Sequence, residues 1–368
     1  MIVRELTPDD ARQSWDLAGL AFGYDTSGDP PDRGPDHGVG AFDHDGRLLG
    51  RAYGRPYSQW WVGREVPMCG VAGVAVHPDA RGQGVVRRLM DALVDATAAP
   101  ISVLFPTAPG IYRGLGWEVV GTLDTTLVPL TSLPRTADVR TRPLTAADLD
   151  GVHALYRSRG ASGSGLLTRE GPSFPDGPAA LLASTDATTV VVEDGTVTGF
   201  LHYARGHGYR HGGPLRVHDL LASSPTARQA LLAALGSWAA VVDGVRWRGS
   251  TAELATALPG TLPPATESQP WMLRVLDAPA SLEARGYVAT GSASFAVGGQ
   301  GYRLTASDGR GTVDDVPAEG LPGLAPQGLA LLMAGVATRL FERGLASAPV
   351  PELEALTTGP PPEILDYF

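Results

Sequence analysis

The chain is 368 residues long, 43% hydrophobic and 18% charged, with a formal net charge of −10. That length exceeds one ordinary domain and suits two or three, and the composition is globular rather than disordered. The acidic balance argues against a basic nucleic-acid-binding stripe, and a lone cysteine, Cys69, excludes an internal disulfide framework. No apolar run approaches the roughly 18 residues of a membrane span, so a soluble, cytoplasmic protein is expected.

Val3–Asp10, VRELTPDD, reads as a short strand, a threonine able to cap a helix, and an acidic first turn. A Pro- and Gly-rich loop follows in which Asp25, Asp29, Asp32 and Asp36 crowd together. Asp45–Tyr53, DGRLLGRAY, is a hairpin turn entering a strand. The apolar run from Val71 reads as a buried strand ending at His77-Pro78, with Val74 and Val76 on one face. The stretch ARGQG leads from it straight into an amphipathic helix. Val86, Leu89, Met90, Leu93 and Val94 face the core, and Arg87, Arg88, Asp91 and Asp95 face out.

That turn, Arg81, Gly82, Gln83, Gly84 and Val85, puts unbonded amides and the positive end of a helix dipole beyond a strand end. Such a place suits a phosphate or pyrophosphate, and the glycines let the backbone come close. A Walker loop is excluded because the chain has no lysine; all 29 basic residues are arginine. A dinucleotide turn is excluded because its third glycine would fall at Arg87. The next strand, Ile101–Phe105, is followed by TAPGIYRGLGW, which sets Tyr112 at the start of a short helix.

The design then repeats. Thr141–Asp148, TRPLTAAD, echoes the opening segment, and Asp194–Tyr203, DGTVTGFLHY, echoes the hairpin; Val128–Asp138 is the junction. In Leu215–Leu235 the Gly-rich turn is gone and Pro225 intrudes, so the second unit is expected to keep the fold without a bound cofactor. His153, His202, His207, His211 and His218 fit no zinc spacing, and no metal is expected. From about Gln269, short strands alternate with Gly-rich turns through Val316. Leu332, Met333, Val336, Leu340 and Phe341 are then spaced as one helix face, which together suggests a small α+β domain. The chain closes on ILDYF, apolar and aromatic.

The turn at Arg81–Gly84 after V-x-V-x-P resembles the acetyl-CoA loop, Q/R-x-x-G-x-G/A, of the GNAT superfamily of N-acetyltransferases. Arg81 and Gly84 match, and Val86 stands where that superfamily usually has Gly or Ala. An aliphatic residue there resembles the enhanced intracellular survival (Eis) subfamily. So do Thr107–Trp117, similar to S-x-x-x-I-Y-x-R-x-G-Y/W, and the terminal Phe368. The resemblance covers the whole chain in architecture, but its specific motifs lie within Val71–Trp117.

It implies an α/β and α+β protein of two tandem GNAT folds, residues 1–130 and 138–268, followed by a sterol-carrier-protein-like α+β domain at 269–368. It implies acetyl-CoA as co-substrate and no metal. The backbones of Val74 and Val76 would pair with the pantetheine arm, Arg81, Gly82, Gln83, Gly84, Val85 and Val86 would hold the diphosphate, and Thr107 would bond the cofactor. Tyr112 would protonate the departing CoA sulfur. The Phe368 carboxylate would accept the substrate proton or attract a cationic amine, and Phe22, Asp25 and Trp60 would line the acceptor pocket. The acceptor would be a primary amine of an aminoglycoside, a polyamine or a lysine, attacking directly in a ternary complex. A homohexamer follows from the same likeness. Two other readings are a non-catalytic CoA- or nucleotide-sensing protein and a lipid-carrier module built on the C-terminal domain.

Overall fold

The computed structural model describes residues 1–184, 186–206, 213–258 and 265–368; His207 and His211 lie outside them. The first unit runs β1 (Ile2–Glu5), α1 (Ala11–Phe22), β2 (His37–Phe42), β3 (Leu48–Trp61), β4 (Arg64–Val76), α2 (Val85–Asp95), β5 (Ile101–Leu104), α3 (Pro109–Arg113) and β6 (Glu118–Pro129). The second begins β7 (Arg142–Pro143), α4 (Leu149–Ala161), β8 (Ser164–Leu167), α5 (Ala180–Ala183), β9 (Ala187–Glu193) and β10 (Thr196–Ala204). It continues β11 (Leu215–Ala222), α6 (Pro225–Gly236), β12 (Gly244–Arg248), α7 (Thr251–Ala257) and β13 (Glu267–Val275). The remainder is α8 (Ala278–Ala284), β14 (Gly291–Val297), β15 (Gln300–Ser307), β16 (Arg310–Val316), β17 (Gly323–Leu324), α9 (Pro326–Ala334) and α10 (Pro351–Thr357).

The repeat read in the sequence is a repeat of hydrogen bonds. Arg4 grips Asp10 with two bonds of 2.7 and 2.9 Å, and the amide and hydroxyl of Thr7 donate to the same carboxylate. Arg142, Asp148 and Thr145 reproduce that network residue for residue. Each threonine–aspartate pair forms a capping box that fixes where the following helix starts. The second hairpin turns through Asp194 and Gly195 at φ of 48° and 78°, the left-handed pair a two-residue hairpin needs.

The two units share one sheet. Its order is β1-β2-β3-β4-β5-β13-β6-β12-β11-β10-β9-β7, with β8 paired to β3. Each half has the same sequence of strands from its edge inward, and the innermost position is exchanged. β6, which follows the first unit, pairs with β12 of the second, and β13, which follows the second, pairs with β5 of the first. The two exchanged strands pair with each other along Glu118–Thr125. β13 carries the chain to Val275 inside this sheet, so the expected boundary at residue 269 is corrected: it falls within a strand of the first half. A mixed apolar and polar run with Pro270 in it gave no sign of this.

Two further readings change. Pro225 does not break α6; it is the first helical residue, where its missing N–H costs nothing, behind the capping Ser224. The helix face expected from Leu332 to Phe341 is cut short at Ala334, because Gly335 takes a left-handed φ of 76° and caps the helix. Gly328–Ala334 is buried on all sides, so its apolar residues are not one face of a longer helix. The C-terminal part is a four-stranded sheet, β16-β15-β14-β17, and α9 lies between it and strands β6 and β13. The buried Arg285 guanidinium donates to the carbonyls of Leu332, Met333 and Thr357 and ties the ends of α9 and α10 together. No helix among the described residues is long and apolar enough to cross a membrane.

Candidate active site

The site begins where β4 and β5 part. Their parallel ladder runs from Met68–Ile101 to Val71–Leu104 and ends there, while β4 continues to Val76. Gly73 takes φ of 58°, and the register against β3 slips between Ala72 and Ala75, so Gly73 and Val74 form a bulge. A bulge increases local twist and turns the strand away from its neighbour. The backbone of residues 72–76 is thereby released from β5. Val74 and Val76 are half-buried, with side chains against the core under α2.

Beyond His77 the chain makes a short 3-10 turn, Pro78–Ala80, and then the glycine turn. Gly82 and Gly84 have φ of 79° and 75°, and a Cβ on either would meet nothing within 4 Å. Their role is therefore conformational: they bend the chain so that α2 opens at the strand end. The first bond into the helix runs from Arg88 N–H to the carbonyl of Gly84, which leaves the amides of Gly84, Val85, Val86 and Arg87 without an intrahelical acceptor. Arg81, Gly82, Gln83 and Gly84 are exposed. Val85, not Val86, is the buried residue of the first turn, at 2% exposure.

Tyr112 stands on α3, just past the end of β5, with Trp117 edge-on at 6.5 Å. It is 7% exposed, and burial pushes its phenol above the ordinary value, so it holds its proton throughout the neutral range. Arg87 of α2 donates to the carbonyl of Gly114 at 3.3 Å and links the two walls. Thr107 is exposed on the connection between β5 and α3. Cys69 is buried in β4, and its thiol is pushed up to about 11, which removes it as a nucleophile at neutral pH.

The C-terminal segment reaches the same strands. Glu363 N–H bonds the carbonyl of Ser164 at 2.8 Å, and its carboxylate pairs with Arg159. Leu365 packs on Trp60 and Leu166, and Asp366 meets Arg169 at 3.0 Å. Arg169 also holds Asp219 with two bonds of 2.9 Å. The ring of Phe368 then lies 5.1 Å from Tyr57 of β3 and 5.5 Å, edge-on, from Phe105. Gly70 of β4 makes the room, because a Cβ there would stand 2.9 Å from the Phe368 ring.

The three residues expected to line the acceptor pocket are not brought together. Trp60 is corrected to a packing residue: β3 extends to pair with β8, and its ring, 5% exposed, is covered by Leu166, Leu365 and α4. Phe22 packs on Tyr24 and is 39% exposed, and Asp25 caps its own turn through Ser27. Tyr57, against which Phe368 packs, also borders a cleft of about 310 Å³ lined by Asp32, Arg33, Asp36, Arg55 and Ser173. Asp36 faces Arg55 at 3.2 Å, and burial raises its carboxyl in spite of that partner. Arg55, Tyr57 and Arg169 had no motif to mark them; only tertiary contact gives them a place here.

With this geometry in hand, the comparisons agree on the class. Residues 2–120 and residues 165–275 each match an acetyltransferase (GNAT) domain family. The chain belongs to the GNAT superfamily, with two tandem GNAT domains, and it is an acetyl-CoA-dependent acetyltransferase. A GCN5-related N-acetyltransferase from Kribbella flavida is similar over 100% of this chain and 98% of its own, at 27% identity and a TM-score of 0.84. One from Anabaena variabilis covers 100% of both chains at 22% identity and 0.86, and Eis1 from Mycobacterium abscessus covers 100% of both at 20% and 0.75. No curated protein matches the sequence.

Proposed function

We propose that the first unit transfers acetyl from acetyl-CoA to the primary amine of a cationic acceptor, by direct attack within a ternary complex, in the manner of Eis-like enzymes. One observation carries the reading: the released backbone of β4, the glycine turn opening α2, and Tyr112 all stand at the parted ends of β4 and β5. An extended thiol arm finds unpaired strand backbone at residues 72–76, and a diphosphate finds the amides of Arg81–Val86. A thioester held between the strands meets a protonated phenol, which supplies the proton the leaving thiolate needs. Thr107, exposed on the connection after β5, is assigned a hydrogen bond to the cofactor.

The amine must lose a proton to attack, and its ordinary pKa of about 10 makes that a barrier near pH 7. The terminal carboxylate of Phe368, whose ring lies against Tyr57, is the group we assign to receive it. The second unit binds no acetyl-CoA in this reading. The N-terminus of α6 opens on Pro225, which has no N–H, behind Ser224, whose hydroxyl caps the amide of Ala227 and itself donates to Glu193 at 2.8 Å. The C-terminal sheet with α8, α9 and α10 serves as a sterol-carrier-like platform that delivers the tail, and assembly as a homohexamer belongs to the same proposal.

The test is release of free CoA from acetyl-CoA across a panel of aminoglycosides, polyamines and lysine peptides, with acceptor-free controls. Acceptor-dependent release with one acetyl-CoA bound per chain is expected. Binding without release from any amine would sink the catalytic reading, and two acetyl-CoA sites per chain would sink the assignment of the second unit.

A further inference from the structure

We propose that the second unit holds a divalent transition-metal ion of the zinc type, bound by Nε2 of His202, Nε2 of His218 and a carboxylate oxygen of Asp186. The proposal is independent of acetyl transfer. The three donors come from adjacent strands. His202 lies on β10 opposite Thr188 of β9, and Asp186 is two residues before Thr188, so strand alternation sets Asp186 and His202 on one face. On β11 the register slips between Asp219 and Val217, which makes His218 an extra residue in the ladder and turns it toward His202. The corresponding strand of the first unit carries its bulge at Gly73 and Val74, beside the cofactor cleft. Here the same irregularity carries an imidazole.

The distances are those of a coordination polyhedron. The three ligand atoms lie within 4.8 Å of one another. Asp186 Oδ2 is 3.2 Å from His218 Nε2 and 3.6 Å from His202 Nε2. A tetrahedron with bonds of about 2.0–2.1 Å has edges of about 3.3–3.4 Å. Both Nε2 atoms are buried, yet neither makes a hydrogen bond among the described residues, although the Asp186 carboxylate stands close to both. Two buried ring nitrogens gathered beside one carboxylate are satisfied by an ion between the three groups, whereas hydrogen bonding leaves both orphaned. On the far side of the His202 ring, Asp219 Oδ2 stands 3.9 Å from Nδ1. A carboxylate behind the ring leaves Nε2 as the coordinating nitrogen, the usual outer arrangement of a metal-bound histidine.

The cluster opens on a cavity of about 410 Å³ lined by Tyr156, Phe200 and Leu221 along with the histidines. Three protein ligands with a remaining position facing a cavity is the pattern of an open metal site rather than a closed structural one.

The test uses the full chain stripped with chelator, in a His44→Ala background, because the exposed Asp43-His44-Asp45 turn offers a second cluster. Zn²⁺ is titrated by calorimetry and Co²⁺ by visible absorption, with acetyl-CoA binding as the folding control. One equivalent of Zn²⁺ per chain and a tetrahedral or five-coordinate Co²⁺ spectrum are expected. His202→Ala, His218→Ala and Asp186→Asn should each weaken Zn²⁺ binding at least tenfold, with acetyl-CoA binding unchanged. Absence of stoichiometric binding, or affinity that none of the three substitutions alters, overturns the site.

Discussion

Tyr112 shows how a single side chain is prepared by its surroundings. Trp117 and the β5 end enclose it, and that burial raises its pKa, so the phenol stays protonated at neutral pH, as the proposed role of proton donor requires. Tyr112→Phe is expected to lower turnover by roughly 10²–10⁴-fold. Acetyl-CoA affinity measured by calorimetry should not change, because the ring and its packing remain. The wild-type rate should also hold to pH 10 on the alkaline side, since a group with a raised pKa keeps its proton above its ordinary value; a decline centred well below pH 10 would point to another acid. The sequence marked Tyr112 through the motif around it. It could not mark Arg55 or Arg169, whose meaning is the carboxylates they face across the fold.

Among the elements, the two capping networks make the clearest energetic statement. Arg4 holds the Asp10 carboxylate well below its usual range, first through the Arg4 hydrogen bonds and then through Thr7, and Arg142 does the same for Asp148. A depressed folded-state pKa stabilises above the unfolded value of about 3.9 and loses that contribution as pH falls below it. Asp148→Asn is expected to destabilise by about 1–3 kcal/mol at pH 7. The difference from wild type should shrink as the pH of urea denaturation is lowered toward 3; a constant difference across that range would refute the linkage. Helix starts such as these were readable because a cap is a local event within four residues. The end of α9 was missed for the opposite reason: Leu340 and Phe341 continue the spacing, but Gly335 had already turned the chain.

At the scale of the molecule, the exchanged strands β6 and β13 join both units into one sheet, and the tail stitches across it. Glu363, Leu365 and Asp366 anchor on the second unit, and Phe368 is delivered to the first. Deleting Tyr367 and Phe368 is expected to lower turnover about tenfold or more while the thermal midpoint stays within a few degrees, because the anchors up to Asp366 remain. Full activity in the shortened chain would remove the tail from the mechanism.

By itself the amino-acid sequence determined whatever is local. It set the duplicated strand–cap–helix openings, the hairpins, the glycine turn that opens α2, and the loss of that turn in the second copy. Each of these depends on a few neighbouring residues, their backbone angles and their period. Tertiary structure alone decided which strand lies beside β5, why Trp60 is covered, where the tail ends, and that Asp186, His202 and His218 meet. Those outcomes depend on pairing between segments far apart in the chain, where a one-residue bulge changes which side chains share a face.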